Sequence, residues 1–143
     1  MSKHKRNNYQ SFESHDGRYT RIFDDMIDSA AWDELSGNAI KLYIKMKRKY
    51  VPAYDGKGKL IKCNKDDISM PKSEYSKFMS PNTFQKCIDE LISCGFIRVV
   101  EYKPLEGSRK VIIYGFSDMW QKYGTKDFVI KDEWKRAKNK NYI

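Results

Sequence analysis

The sequence predicts an α+β domain in which a set of helices leads into a β-hairpin. Three observations carry this expectation. Apolar residues recur at helical spacing over 22–32 and again over 36–50. A third helical stretch, 81–94, is punctuated at both ends, by Ser80-Pro81 before it and by Gly95 after it. Two runs rich in Val, Ile and Tyr, 96–101 and 110–116, then read as strands either side of a loop, 102–109, that holds Pro104 and Gly107. The expected organisation is a flexible polar tail (1–19), one domain (20–128) and a basic C-terminal extension (129–143).

The elements follow in order. Ile22, Phe23, Met26, Ile27, Ala30 and Ala31 give an amphipathic helix, with Asp24, Asp25 and Asp28 on its polar side. Ser36 is the N-cap of the next helix, whose apolar stripe is Ala39, Leu42, Tyr43, Met46 and Tyr50. Pro52 stops it, and Asp55-Gly56-Lys57-Gly58 is a turn. Residues 60–63 and 67–70 are rival candidates for a short strand, and the pattern does not choose between them. Pro71 suits the first position of a two-turn helix over 72–78. After a break at Met79-Ser80, helix 81–94 presents Phe84, Cys87, Ile88, Leu91 and Ile92 on one face, and Gly95 stands where positive φ is needed. Beyond the hairpin, 118–123 reads as a short helix ended by Gly124, and 132–138 as a second. No internal repeat is visible.

Composition narrows the function classes. Ten Tyr, seven Phe and three Trp in 143 residues suffice for one sizeable core. A net charge of +9 favours a polyanionic partner. Cys63, Cys87 and Cys94 contain no CxxC, and His4 and His15 lie in the tail, so zinc lacks ligand spacing and the thiols read as small core residues of a reducing compartment. The N-terminal residues lack an apolar segment, and the longest apolar runs, such as 111–114, are far too short to span a bilayer. A cytoplasmic protein without a membrane partner is expected. No GxGxxG, phosphate-binding Gly-Lys-Ser/Thr loop or nucleophile elbow is present, so no catalytic residue, cofactor or metal is expected. Asp24, Asp25 and Asp28 are better explained as a solvated helix face than as metal ligands.

The order helix, short strand, short helix, sharp turn, longer helix, strand, loop, strand is that of a winged helix-turn-helix, here with an extra N-terminal helix and a C-terminal helical extension. Met79-Ser-Pro-Asn-Thr-Phe, followed by Asp89-Glu-Leu-Ile-Ser-Cys-Gly-Phe-Ile, is its sharpest local signal. Residues 78–99 resemble the recognition helix and first wing strand of winged helix-turn-helix DNA-binding proteins. They are similar in particular to small proteins of Gram-positive phages, plasmids and integrative elements, among them winged domains of replication initiators and relaxosome accessory factors. Residues 116–128 resemble a tail seen in that group. The resemblance spans about 36–128 and leaves 1–35 outside it.

The resemblance implies double-stranded DNA as partner, with helix 81–94 in the major groove and wing 102–109 on the backbone. Asn82, Thr83, Gln85 and Lys86 would then face base edges or nearby phosphates: Asn and Gln suit adenine, Lys suits guanine, and Thr can touch a thymine methyl. Ser80 would take a phosphate at the helix N-terminus. Lys72, Lys77, Lys103, Arg109 and Lys110 are the backbone contacts it implies. A homodimer, or a replication or transfer protein, is a further partner, and replication initiation, DNA transfer or transcription regulation the process served. Charge complicates the picture. Residues 64–101 carry five basic and six acidic side chains, a net of −1, whereas 36–63 carry eight and one, a net of +7. The alternative is a protein-interaction adaptor whose basic helix 36–50 docks an acidic partner.

Overall fold

The computed structural model describes residues 17–104 and 110–130. The chain is α+β, with five α-helices and two antiparallel hairpins among the described residues. Residues 1–16 of the expected tail, Arg109, and 131–143 with the expected helix 132–138 lie outside the described residues; of Lys103 and Lys110 only the backbone is described.

The helix expected over 22–32 is two four-residue helices, α1 (Asp24–Ile27) and α2 (Ala30–Asp33). Ser29 causes the break. Its hydroxyl donates to the Met26 carbonyl (2.7 Å) and accepts from the Trp32 amide (3.1 Å), closing one helix and capping the next. Such local side-chain bonding competes with helix continuation. Helix α3 (Gly37–Lys47) starts as predicted, with the Ser36 hydroxyl accepting the Ala39 amide at 3.2 Å, but it ends before Arg48, short of the expected 36–50, so Tyr50 lies beyond it.

Both rival strand segments pair. Strand β2 (Leu60–Cys63) is joined antiparallel to β1 (Pro52–Tyr54), which the sequence pattern marks only as the end of a helix. The Asp55 carboxylate accepts the Lys57 and Lys59 amides at the hairpin tip. Asn64 clips the hairpin to the end of α3, accepting from the Val51 amide (2.6 Å) and donating to the Lys49 carbonyl (2.7 Å). From the 67–70 segment, Ile68 bridges Tyr114, exchanging both backbone hydrogen bonds at 3.0 and 2.7 Å. Ile68 thereby lies along the second hairpin as a one-residue third strand.

Helix α4 (Lys72–Tyr75) is shorter than expected, and turns carry the chain on to Met79. Pro71 is its N-cap, extended at ψ 159, not its first helical residue. Helix α5 (Pro81–Ser93) begins at Ser80 and Pro81 as expected. Strands β3 (Ile97–Pro104) and β4 (Lys110–Phe116) pair further than the loop 102–109 allowed, so that the connection is 105–109. Val100 is an extra residue in a bulge opposite Tyr114 and Ile113. The expected helix 118–123 is a 3₁₀ turn, Met119–Lys122.

One core sits between α3 and α5. Ala39, Leu42, Tyr43 and Met46 from α3 meet Phe84, Cys87, Ile88, Leu91 and Ile92 from α5, all buried. The base of β3 closes this core through Phe96 and Ile97. Trp32, Tyr43 and Phe96 touch edge to face with centroids 5.6–5.9 Å apart, and Trp120 stacks on Phe96. Burial pushes the Tyr43 phenol well above its ordinary value of 10.0. Stability should therefore be full below pH 10 and fall as the pH rises beyond it, because the unfolded phenol ionises there and the folded one does not. Urea melts at successive alkaline pH values should show this loss reduced in Tyr43→Phe.

The exit from α5 is a Schellman turn. Phe96 donates to the Leu91 carbonyl (2.9 Å) and Gly95 to that of Ile92 (3.1 Å). Gly95 takes φ +84, and a β-carbon there would lie 2.6 Å from the Trp120 nitrogen and 2.8 Å from the Met119 carbonyl carbon. Gly95→Ala should cost at least about 1–2 kcal/mol from the dihedral angle alone, with backbone overlap adding to it. A melting temperature equal to the parent's would contradict this account.

Candidate nucleic-acid interface

The two sides of α5 differ sharply. Its apolar stripe is locked in the core, while Asn82 and Lys86 are exposed and Thr83 and Gln85 half-buried on the other side. These four, with exposed Ser80, share the N-terminal half of the helix. Lys72 and Lys77, both exposed, precede it on α4 and the following turn. Ser80 is committed locally: its hydroxyl accepts the Thr83 amide (3.2 Å) and donates to Thr83 Oγ1 (3.0 Å). A phosphate contact at Ser80 would replace that second bond. In the hairpin, Lys103 is in register with Val111 and Lys110 with Pro104, at the end of the ladder beyond the bulge.

Three of the acidic residues that give 64–101 its negative net charge are engaged within the fold. Glu90 clasps the N-cap of α3. Its two oxygens accept the Ser36 amide at 2.9 Å and the Ser36 hydroxyl at 2.8 Å. A carboxylate there also meets the positive end of the α3 dipole. Glu74 pairs with Lys49 at 2.5 Å, and Asp66 with Arg98 at 2.8 Å. Asp66 also packs against the backbone of Gly115, where a β-carbon would come within 2.7 Å of its oxygen.

Much of the positive charge on α3 is engaged as well. Lys45 and Lys41 lie over the Phe78 ring at 5.2 and 5.9 Å. Lys47 lies over Tyr50 and Phe116 at 4.8 and 5.1 Å, and burial lowers its pKa against the opposing pull of the Asp118 charge, with Arg21 adding slightly to the lowering. Lys49 reaches the Ser69 carbonyl as well as Glu74. Arg48 is exposed and joins no ion pair among the described residues. Alternating Lys and apolar residues suggest a solvated basic face from sequence. The aromatic rings that receive these ammonium groups come mostly from elements remote in the chain, so periodicity alone does not reveal the contacts.

Residues 17–21, which carry no period, and Phe23, expected in a helical stripe, line two concavities along α3, with Arg18, Tyr19 and Arg48 in both. Among the described residues no group of three or more His, Cys, Asp or Glu side chains is arranged to hold a metal ion, and no helix is long and apolar enough to cross a membrane. Cys87 and Cys94 are buried, and burial pushes both thiols up. The chain matches no family model, no curated protein and no solved structure.

The Glu90–Ser36 clasp joins the two central helices across 54 positions of sequence. Glu90→Ala should cost about 1–2 kcal/mol in urea unfolding, since a charge-assisted pair and a helix cap are weakened together. Ser36→Ala should cost a similar amount. The double variant should cost less than the sum, because both changes remove one interaction. Strict additivity would show that the two residues act separately.

Proposed function

We propose that this chain is a winged helix-turn-helix protein that binds double-stranded DNA sequence-specifically and has no catalytic role. The single observation that carries the reading is the two-sidedness of α5. One face is fixed in the core, and the N-terminal half of the other offers Asn82, Gln85 and Lys86 outward. Amide and ammonium side chains on a rigid helix suit base edges of the major groove. The order of elements supports it: α3, the Ile68 bridge, α4, a turn, α5 and the β3–β4 hairpin. In this reading the hairpin is the wing, and Lys72, Lys77, Lys103, Arg109 and Lys110 meet phosphates. The resemblance of residues 78–99 and 116–128 favours a mobile-element or phage protein of the cytoplasm, serving replication initiation, DNA transfer or transcriptional control, alone or as a dimer.

The adaptor reading, in which helix 36–50 docks an acidic partner, has less support. Lys45, Lys47 and Lys49 are already engaged with Phe78, Tyr50, Phe116 and Glu74.

Binding to a selected duplex target should weaken steeply with salt, with a slope near −4 to −5 in log K against log salt for about five neutralised phosphates. Asn82→Ala with Gln85→Ala should cost about 1–3 kcal/mol for each base-edge hydrogen-bonding pair removed, on the selected target only, leaving random DNA and the salt slope unchanged. Replacing Lys103, Arg109 and Lys110 with Ala should weaken both DNAs and flatten the slope by up to about 0.9 for each phosphate no longer neutralised. Equal weakening on both DNAs for the Asn82/Gln85 variant would remove α5 as the reading element.

A further inference from the structure

The groove along α3 formed by residues 17–23 has a composition that the duplex reading does not use. Its larger concavity has a volume of about 550 Å³, within the about 300–1,000 Å³ of small-ligand sites. Four cations line it, Arg18, Arg21, Lys47 and Arg48, and among the described residues no acidic side chain does. Four aromatic rings accompany them. Tyr50 lies under Lys47 and Phe23 under Arg21 at 5.9 Å, while Tyr19, Phe23 and Tyr54 are 80%, 58% and 53% exposed. None of these residues belongs to α5 or to the β3–β4 hairpin.

Positive charge alone would suit any polyanion. Exposed rings interleaved with arginines are a narrower signal. Flat aromatic faces accept unstacked bases whatever their identity, and guanidinium groups meet the phosphates between them. A base within a duplex is stacked on both sides and cannot enter a concavity of this size. A base of a single strand can be splayed into it. An acidic peptide would satisfy the arginines and leave the rings uncovered.

The second concavity, about 470 Å³, continues the path. It shares Arg18, Tyr19, Thr20 and Arg48 with the first and adds Lys45 and Lys77. Its acidic lining residue, Glu74, is paired with Lys49. Arg18 and Arg48 line both hollows.

We propose that this groove binds single-stranded nucleic acid, with bases stacked on Tyr19 and Phe23 and the intervening phosphates held by Arg18 and Arg48. The rings and arginines named here take no part in the duplex reading, which shares only Lys77 with the second concavity, so the site stands or falls by its own measurement. The test uses the full chain and fluorescence anisotropy with a labelled oligothymidylate of roughly 12 nucleotides, a span within the site sizes of single-strand grooves. An abasic strand of equal length, a random duplex and an oligoglutamate are the comparisons. The oligothymidylate should bind at least about five-fold more tightly than the abasic strand. Tyr19→Ala with Phe23→Ala should remove that preference and leave duplex binding as it was. Both rings are largely exposed, so the variant should melt with the parent. Arg18→Gln with Arg48→Gln should weaken the oligothymidylate and the abasic strand alike. Equal affinity for the two strands, equal competition by oligoglutamate, or an unchanged preference in the ring variant would overturn the proposal. Weaker binding of the selected duplex target by the Asn82/Gln85 variant, with the oligothymidylate bound as before, would separate the two sites.

Discussion

At Gly95 the chain passes from α5 into the β3–β4 hairpin with one residue in the left-handed region, and three elements meet there. The Schellman bonds to Leu91 and Ile92 end the helix, and the Gly95 carbonyl receives the Trp120 amide at 3.0 Å. Phe96, the next residue, is completely buried and stacks on Trp120. The orientation of α5, the origin of the hairpin and the seat of the 3₁₀ turn are therefore set at one junction. A side chain at this position would displace the 3₁₀ turn that covers the core, so the constraint is one of volume as much as of dihedral angle.

Around α3, much of the charge is met within the fold. Glu90 holds the start of α3, Glu74 holds Lys49 near its end, and Lys41, Lys45 and Lys47 lie over rings contributed by the α4–α5 turn and the hairpin. A net charge read from sequence overstates how many of these groups face a partner unengaged. The interactions surrounding α3 draw its helix, its caps and its neighbours together at modest cost, because partly exposed ion pairs and cation–π pairs each contribute only about 0.5–1 kcal/mol.

What the sequence disclosed depended on whether the signal was local. Helices α3 and α5 were legible because caps, stripe and stop all lie within one window: Ser36 with Ala39, Leu42, Tyr43 and Met46; Ser80-Pro81 with Phe84 through Gly95. The hairpin was legible from its β-branched residues, though its ladder runs further than Pro104 and Glu101 suggested. The interruption at Ser29 was hidden by an apolar period that continues across it. The pairing of Ile68 with Tyr114, and the clasp of Glu90 on Ser36, join residues 46 and 54 positions apart and leave no periodic trace. For the candidate interface, the sequence named the outward residues of α5. It missed Arg18 and Tyr19, because a polar, aperiodic stretch carries no sign of the groove it lines, and it counted Phe23 in the apolar stripe of a helix that begins only after it.

The stacking of Tyr75 on Phe84, with centroids 3.9 Å apart and planes 2° from parallel, has a mechanical consequence. Tyr75 belongs to α4 and Phe84 to the first turns of α5, and both rings are buried. The two helices cannot change their crossing without sliding one ring off the other and exposing both. The stack favours one crossing of the two helices, and on the proposed reading a duplex at the outer side of α5 would meet a backbone already in place. Adjustment falls to rotations of Asn82, Gln85 and Lys86, which cost little beside a repacked core. Selectivity at that surface would then follow from the reach and hydrogen-bonding pattern of those three side chains, with little induced movement to blur it.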